Sequence, residues 1–439
     1  LVPAIPSIPS TPTIPSIPFI PHGMGAGGGG GGIVYTPQSL TFTGDLITDA
    51  VRALGQAADF TDFLPIPGGV GIWPAYTNKT IQSVPGAAAD TNVTVGGDVL
   101  AVLSKVVDPL APVANASGEV WEFDNSAGST DATADFAGAT GATTAHSISI
   151  AAKVITGTPT LMLGTAGVGS TPVPITATQW PGEAGTDNRT RSQNITPANT
   201  DVIRVTVPAG AIVRFVAPQL QTGNIVTPWR RTNGSSQSTT AGRIQQPVVG
   251  LFTPTQGAVF ARLQMGFNSD NQPGTAPYWF QWGDSTANQL FGYFFGSDDR
   301  FYYQRQASST GNGAGNALAP QIFVAGDTRS LIGVHMATEV RLSINGAAFT
   351  TIANTAVPSI STGLLDIGKR GTNNDLWICS NVLWWATFAG TLTNADSAVL
   401  NAFGNTPPTV PQLVGALSPA ADVTSFWPGV NTTFFKVAA

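Results

Sequence analysis

The stretch His146-Ser147-Ile148-Ser149-Ile150-Ala151-Ala152-Lys153-Val154 places apolar residues on alternate positions from Ile148 onward. A repeat of two is that of a strand with one face buried. The alternation recurs in Pro159-Thr160-Leu161-Met162-Leu163, Asp201-Val202-Ile203-Arg204-Val205-Thr206-Val207 and Ala211-Ile212-Val213-Arg214-Phe215-Val216. Short strands separated by Gly, Pro and Asn mark a sandwich of antiparallel sheets. A second, more aromatic series contains Gly257 to Met265, Tyr278 to Trp282, Leu290 to Phe295, Arg300 to Gln304, Glu339 to Gly346, Leu364 to Gly368 and Asn381 to Phe388. The expected class is all-β, with two antiparallel β-sandwich (jelly-roll) domains.

Composition agrees. A chain of 439 residues exceeds one ordinary core, and two or three domains are expected. Charged residues make up 10% of the chain, against about 25% in ordinary globular proteins. With 42% hydrophobic residues, low charge does not mean disorder. The net charge is −6 and the 19 Lys and Arg are scattered, which argues against nucleic acid. A single cysteine, Cys379, excludes an internal disulfide framework and a multi-Cys metal site. No apolar run approaches the ~18 residues that cross a bilayer. No signal peptide is visible; the chain opens on Leu1 rather than Met, so a start upstream is an expectation.

Upstream of both series, Pro3, Pro6, Pro9, Pro12, Pro15, Pro18 and Pro21 recur at every third position. A polyproline II helix has three residues per turn, so the prolines share one edge. Val2, Ile5, Ile8, Ile14, Ile17 and Ile20 line a second edge, broken only by Thr11. A β-branched stripe on a preformed rod suits a groove of a partner or sister arms; a stiff linker is the bland alternative. Residues 1–22 are thus read as an anchoring arm and 23–34 as a glycine-rich flexible joint. Residues 35–64 follow as a strand plus one short helix, with Leu46, Ile47, Val51 and Leu54 on one helix face. Residues 65–114 are a β-hairpin region turning at Gly96-Gly97, and 115–231 are the first sandwich. A linker at 232–244 leads to the second sandwich, 245–405, with a short helix capped by Asn394. The tail, 406–439, is rich in aromatics and folds back on its own domain or docks on a neighbour.

Trp121-Glu122-Phe123, the strand from Ser147 to Lys153 and the exit Phe215-Val216-Ala217-Pro218-Gln219-Leu220-Gln221-Thr222-Gly223 resemble carbohydrate-binding-module-like jelly rolls of bacteriophage structural proteins. Val340-Arg341-Leu342-Ser343-Ile344-Asn345-Gly346, Asp366-Ile367-Gly368 and the run from Leu376 to Phe388 resemble concanavalin A-like (laminin G-like) sandwiches. The resemblance implies a phage tail or head fibre or spike on the virion surface. Its arm would bind other virion proteins, its sandwiches would adhere to host-surface polysaccharide, and a homo-oligomer, by analogy a trimer, is expected. A purely structural capsid- or neck-decorating protein is the alternative, and a glycan depolymerase a distant one.

Sugar faces stack on flat rings, so Trp279, Trp282, Tyr293, Tyr302, Tyr303 and Trp121 are the glycan-binding candidates. Strand neighbours point to opposite faces, so about half can be exposed, and core packing is the default for the rest. Trp384-Trp385 is expected to send one ring inward and one outward. The anchoring candidates are Ile5, Pro6, Ile8, Pro9, Ile14, Pro15, Ile17, Pro18 and Ile20. Asp298-Asp299 is a weak calcium candidate; no other cofactor is expected. Only His22, His146 and His335 are present, none with a triad-like or metal-ligand neighbour. Glu122 and Asp124 share a strand face, but a glycosidase needs two carboxylates across a cleft, and no enzyme is expected.

Overall fold

The computed structural model describes residues 33–64, 68–86, 90–138, 144–165, 168–183, 185, 187–196, 201–272, 276–283, 287–307, 310–315, 320–369, 378–430 and 432–437. The anchoring candidates, the rest of the arm and residues 23–32 lie outside them. The fold is all-β, and its sheets are antiparallel.

The larger sandwich is built from the aromatic series. Among the described residues, one sheet orders Tyr35–Ser39, Thr433–Val437, Val423–Trp427, Ser380–Phe388, Gly257–Met265, Thr328–Met336, Glu339–Ile344 and Thr350–Ala353. The short strand Val70–Ile72 adds to Ser380–Phe388. The facing sheet orders Thr41–Thr43, Arg243–Pro247, Leu364–Ile367, Tyr278–Gly283, Gln289–Phe295, Arg300–Ala307 and Thr310–Gly315. Leu263, Trp279, Phe280, Tyr303, Trp385 and Trp427 fill the space between them. Two glycines make room for these rings. A Cβ at Gly292 would sit 2.0 Å from the Trp279 indole, and one at Gly333 would sit 2.0 Å from the Tyr303 ring.

The expectation for Trp384-Trp385 is corrected: both rings are buried. Trp385 enters the sandwich, while Trp384 packs with Phe260 and Phe388 on the opposite face. Helices Asn394–Ala402 and Val410–Ala416 close that face with Leu400, Val410 and Leu413. The first helix is capped by Thr393 rather than Asn394. The Thr393 hydroxyl accepts from the Asp396 N–H, and Asp396 accepts in return from the Thr393 N–H, forming a capping box. The C-terminal segment folds back, supplying the second of these helices and two strands of the sheet.

The smaller sandwich pairs a sheet of Thr190–Ile195, His146–Thr156, Ile212–Thr222, Glu119–Asp124 and Val102–Val107 with one of Val168–Gly169, Thr160–Thr165, Val202–Val207, Ala132–Phe136 and Val93–Gly97. Ile148, Ile150, Phe215, Trp121, Phe123 and Phe136 form its core. The hairpin at Gly96-Gly97 does not form. Val93–Gly97 pairs with Ala132–Phe136, whereas Val102–Val107 pairs with Glu119–Asp124 in the other sheet. Asp98 makes the corner between them, its carboxylate accepting from the N–H groups of Leu100, Ser129 and Thr130 at 2.9, 2.7 and 2.9 Å.

The helix expected after Thr43 is shorter than its apolar pattern. Only Asp49–Arg52 is α-helical, capped by Thr48. Ile47 instead exchanges backbone hydrogen bonds with Gly71, and Leu54 is exposed. This segment is stitched to the rest by Phe60–Thr61, which pairs with Trp229–Arg230, and by the buried Arg52, which donates to Asp62 at 2.8 Å.

Candidate functional site

Of the six ring candidates, four are buried: Trp121, Trp279 and Tyr303 are fully enclosed, and Trp282 is 6% exposed. Each has a structural role. Trp121 packs against Phe136 and Phe215 and donates its indole N–H to Asp90 at 2.9 Å. Trp282 donates to the Thr362 carbonyl at 3.0 Å. A register shift between Tyr278 and Phe280 turns both Trp279 and Phe280 toward the core, so simple alternation misassigns this strand.

The remaining two, Tyr293 and Tyr302, come together on the outer face of the seven-stranded sheet. Strand register sets Tyr278 opposite Tyr293, and Tyr293 opposite Tyr302. Their rings stack across the strands, with centroids 5.6 Å apart for the first pair and 4.9 Å for the second. The Tyr293 and Tyr302 planes differ by only 10°. Phe291 stacks beside Tyr278 and Tyr293, and the exposed Phe295 meets Tyr293 and Tyr302 edge-on. The sequence reading missed Tyr278, Phe291 and Phe295. Their signal was the outward parity they share with Tyr293 along and across the strands.

Tyr302 ends this row. Its hydroxyl donates to the Asp298 carboxylate, which fixes the ring. Burial, then the Asp298 hydrogen bond and charge, push the Tyr302 hydroxyl above its ordinary pKa, so it stays a neutral donor. Tyr293 is raised too, by burial and then by its tyrosine and aspartate neighbours. Beside the rings runs a line of amides: Gln281 donates to Gln289 at 2.6 Å, and Gln289 donates to Gln306 at 2.9 Å. Gln304 lies between Tyr302 and Gln306 in outward parity, half-buried. Tyr278, Phe291, Gln281 and Gln289 are buried beneath this face, so Tyr293, Tyr302, Phe295, Gln304 and Gln306 are what it offers to solvent; flat rings beside amides that both donate and accept suit a polyhydroxylated ligand.

A second concavity of about 330 Å³ lies where the two sandwiches and the connecting segment meet. Asp62, Trp73, Asp187, Arg189, Gln264 and Asn381 are among its walls. Its charges are taken up by one another. Asp187 pairs with Arg189 at 2.8 Å and Arg191 at 2.9 Å. Burial alone would raise its pKa, but the two guanidiniums outweigh that and hold it at about 2. These pairs are local to residues 187–191, while Trp73 Nε1 and Asn381 Oδ1, also in the walls, have no hydrogen-bond partner among the described residues.

The catalytic alternatives find partners of other kinds. Glu122 accepts from Arg214 at 2.8 Å, and Asp124 accepts from the Ser126 N–H at 2.8 Å. His146 lies 3.0 Å from Lys79 Nζ and 2.6 Å from the Thr144 carbonyl. Among the described residues, no group of three or more His, Cys, Asp or Glu side chains gathers to hold a metal. Of the calcium candidate Asp298-Asp299, the Asp298 carboxylate accepts from the Tyr302 hydroxyl. Among the described residues, no helix is long and apolar enough to cross a membrane.

No family model and no curated protein matches the sequence. Solved structures with some likeness include a heptameric SAP-like pentraxin from Limulus polyphemus, at 15% identity and TM-score 0.28, covering 42% of this chain and 83% of that one. A protein of Bacteroides ovatus ATCC 8483, described as a candidate carbohydrate binding protein, aligns at 8% identity and TM-score 0.29 over 84% of this chain and 96% of its own. Domains LG4-5 of the mouse laminin α1 chain align at 8% identity and TM-score 0.23 over 72% and 89%. At these scores the likenesses carry no argument about ligand or partner, and the all-β architecture rests on the chain's own strand register.

Proposed function

We propose that the chain is a non-catalytic glycan-binding protein of a virus particle surface, a phage fibre or spike held to the particle by residues 1–22. The observation that carries the glycan part is the stacked pair Tyr293 and Tyr302, half-buried on the outer sheet face beside Gln304 and the exposed Phe295. The test is a glycan array probed with the full chain. Tyr302→Ala is expected to weaken binding at least about tenfold, in line with the loss of a stacking ring at a binding centre. Binding to no polysaccharide on the array would sink the adhesin reading. The virion part is supported by the proline–isoleucine periodicity of the arm. A chain lacking residues 1–32 is expected to be absent from assembled particles, and its incorporation at the normal level would refute the anchor. A homo-oligomer, a trimer, belongs to the same proposal and is checked by analytical ultracentrifugation.

A second reading, a decorating protein that binds no receptor, is favoured by the burial of four of the six candidate rings. It predicts a blank array together with arm-dependent incorporation. A depolymerase would release reducing ends from the bound glycan; with Glu122 and Asp124 engaged as described, none is expected.

A further inference from the structure

Tyr302 stacks on Tyr293 through one ring face, and no described ring stacks on the other. That second face looks toward Thr310–Gly315, the last strand of this sheet among the described residues, where the register sets Gly315 opposite Tyr302. The next outward pairs are Gln304 with Gly313 and Gln306 with Gly311. Along this strand, every residue opposite an outward side chain is therefore glycine. Three glycines at alternate positions weaken a strand, since each forgoes side-chain packing and costs backbone entropy. Glycine inside a strand marks a bulge, a bend, or a place where a ligand or another backbone approaches closely.

We propose that Gly311, Gly313 and Gly315 form the floor of a groove, walled by Tyr302, Gln304 and Gln306, that takes a neutral, unbranched oligosaccharide laid along the strand. This rests on the glycan reading above and names its ligand class. Successive outward residues stand about 7 Å apart, so the three walls span several sugar units rather than one. Tyr302 supplies a ring face for stacking. The amides of Gln304 and Gln306 donate to and accept from hydroxyls, and backbone at the floor is reached without a Cβ in the way. Neither glutamine carries charge, and Asp298 and Arg300, both acting at the Tyr302 hydroxyl, offset one another, which leaves the groove without a net charge to favour an acidic sugar.

The test is calorimetric titration of the full chain with malto-, cello- and manno-oligosaccharides from monosaccharide to hexasaccharide, with oligogalacturonates as the acidic series. Affinity is expected to rise at least about tenfold with length in one neutral series and to be absent for the acidic one. Gly313→Val, which fills the floor, is expected to abolish the gain with length while leaving the melting temperature near that of the parent. Gln304→Ala serves as a second variant that leaves the glycine strand's backbone unchanged and is expected to reduce the same gain. If Tyr302→Ala removes binding while both groove variants keep the full gain with length, the groove is refuted and the aromatic site stands. Equal binding of the acidic series overturns the ligand class. If no neutral oligosaccharide binds and the array is also blank, the glycan reading falls with the groove.

Discussion

His335 is enclosed in the larger sandwich, 2.7 Å from the Thr253 carbonyl through Nε2 and 2.8 Å from the Tyr303 hydroxyl through Nδ1. A carbonyl only accepts, so Nε2 carries a proton; in the neutral ring Nδ1 then accepts from the tyrosine hydroxyl. Burial lowers its pKa to about 4, against the smaller opposing effect of the Thr253 hydrogen bond. The unfolded chain takes up this proton near its ordinary pKa of about 6.5, the folded one only near 4. The associated stability is complete above pH 6.5 and is lost as pH falls toward 4, a difference on the order of 3 kcal/mol. Urea unfolding at pH 7.5 and 4.5 measures it, and His335→Gln is expected to flatten the dependence. An unchanged slope in the variant would assign it to other groups. Gly292→Ala is a second test at this scale. With its new Cβ 2.0 Å from the Trp279 indole, it is expected to cost about 1–3 kcal/mol, read as a lower urea midpoint. The candidate site was partly legible here: Tyr293 and Tyr302 were named, whereas Trp279 and Tyr303 were not separable from them. What separates them is a bulge and two facing glycines, and neither follows from the side chains' own chemistry.

Among the elements, strands were more legible than helices. Alternation in His146–Thr156 and Val202–Val207 comes from burial of a face and survives folding. The apolar spacing of Leu46, Ile47, Val51 and Leu54 mimicked a helix, yet Ile47 is drawn into a bridge with Gly71. The helix Asn394–Ala402 was placed correctly to within its cap, because Thr393 and Asn394 are both good N-caps and only the capping box with Asp396 selects between them. Thr393→Ala is expected to cost about 1 kcal/mol, visible as a lowered melting temperature, and Asn394→Ala much less. The strand Val102–Val107 is the edge of its sheet and exposes Val102 and Val107. Such an edge is a template for pairing with another chain. Val102→Lys is expected to lower self-association in light scattering, and an unaltered profile would exclude this edge as the contact.

At the scale of the molecule, the compact unit Val34–Ala439 is not threaded as consecutive beads. The larger sandwich begins with Tyr35–Ser39 and Thr41–Thr43, is left for the smaller one between Val93 and Thr222, and closes with Thr433–Val437 against Tyr35–Ser39. A fragment of residues 245–405 lacks Tyr35–Ser39, Val70–Ile72, Val423–Trp427 and Thr433–Val437, and with them Trp427 and Phe434 of the core. It is expected to be unfolded by circular dichroism, while residues 33–439 melt cooperatively. The all-β class and its antiparallel sandwich architecture were readable from the chain alone, because alternation and turn residues are local patterns set by burial and backbone geometry. Which face of each aromatic strand stays open, and where glycines leave a ring uncovered, was set only in three dimensions. Those outcomes depend on register with strands far away in sequence, and no local pattern encodes that pairing.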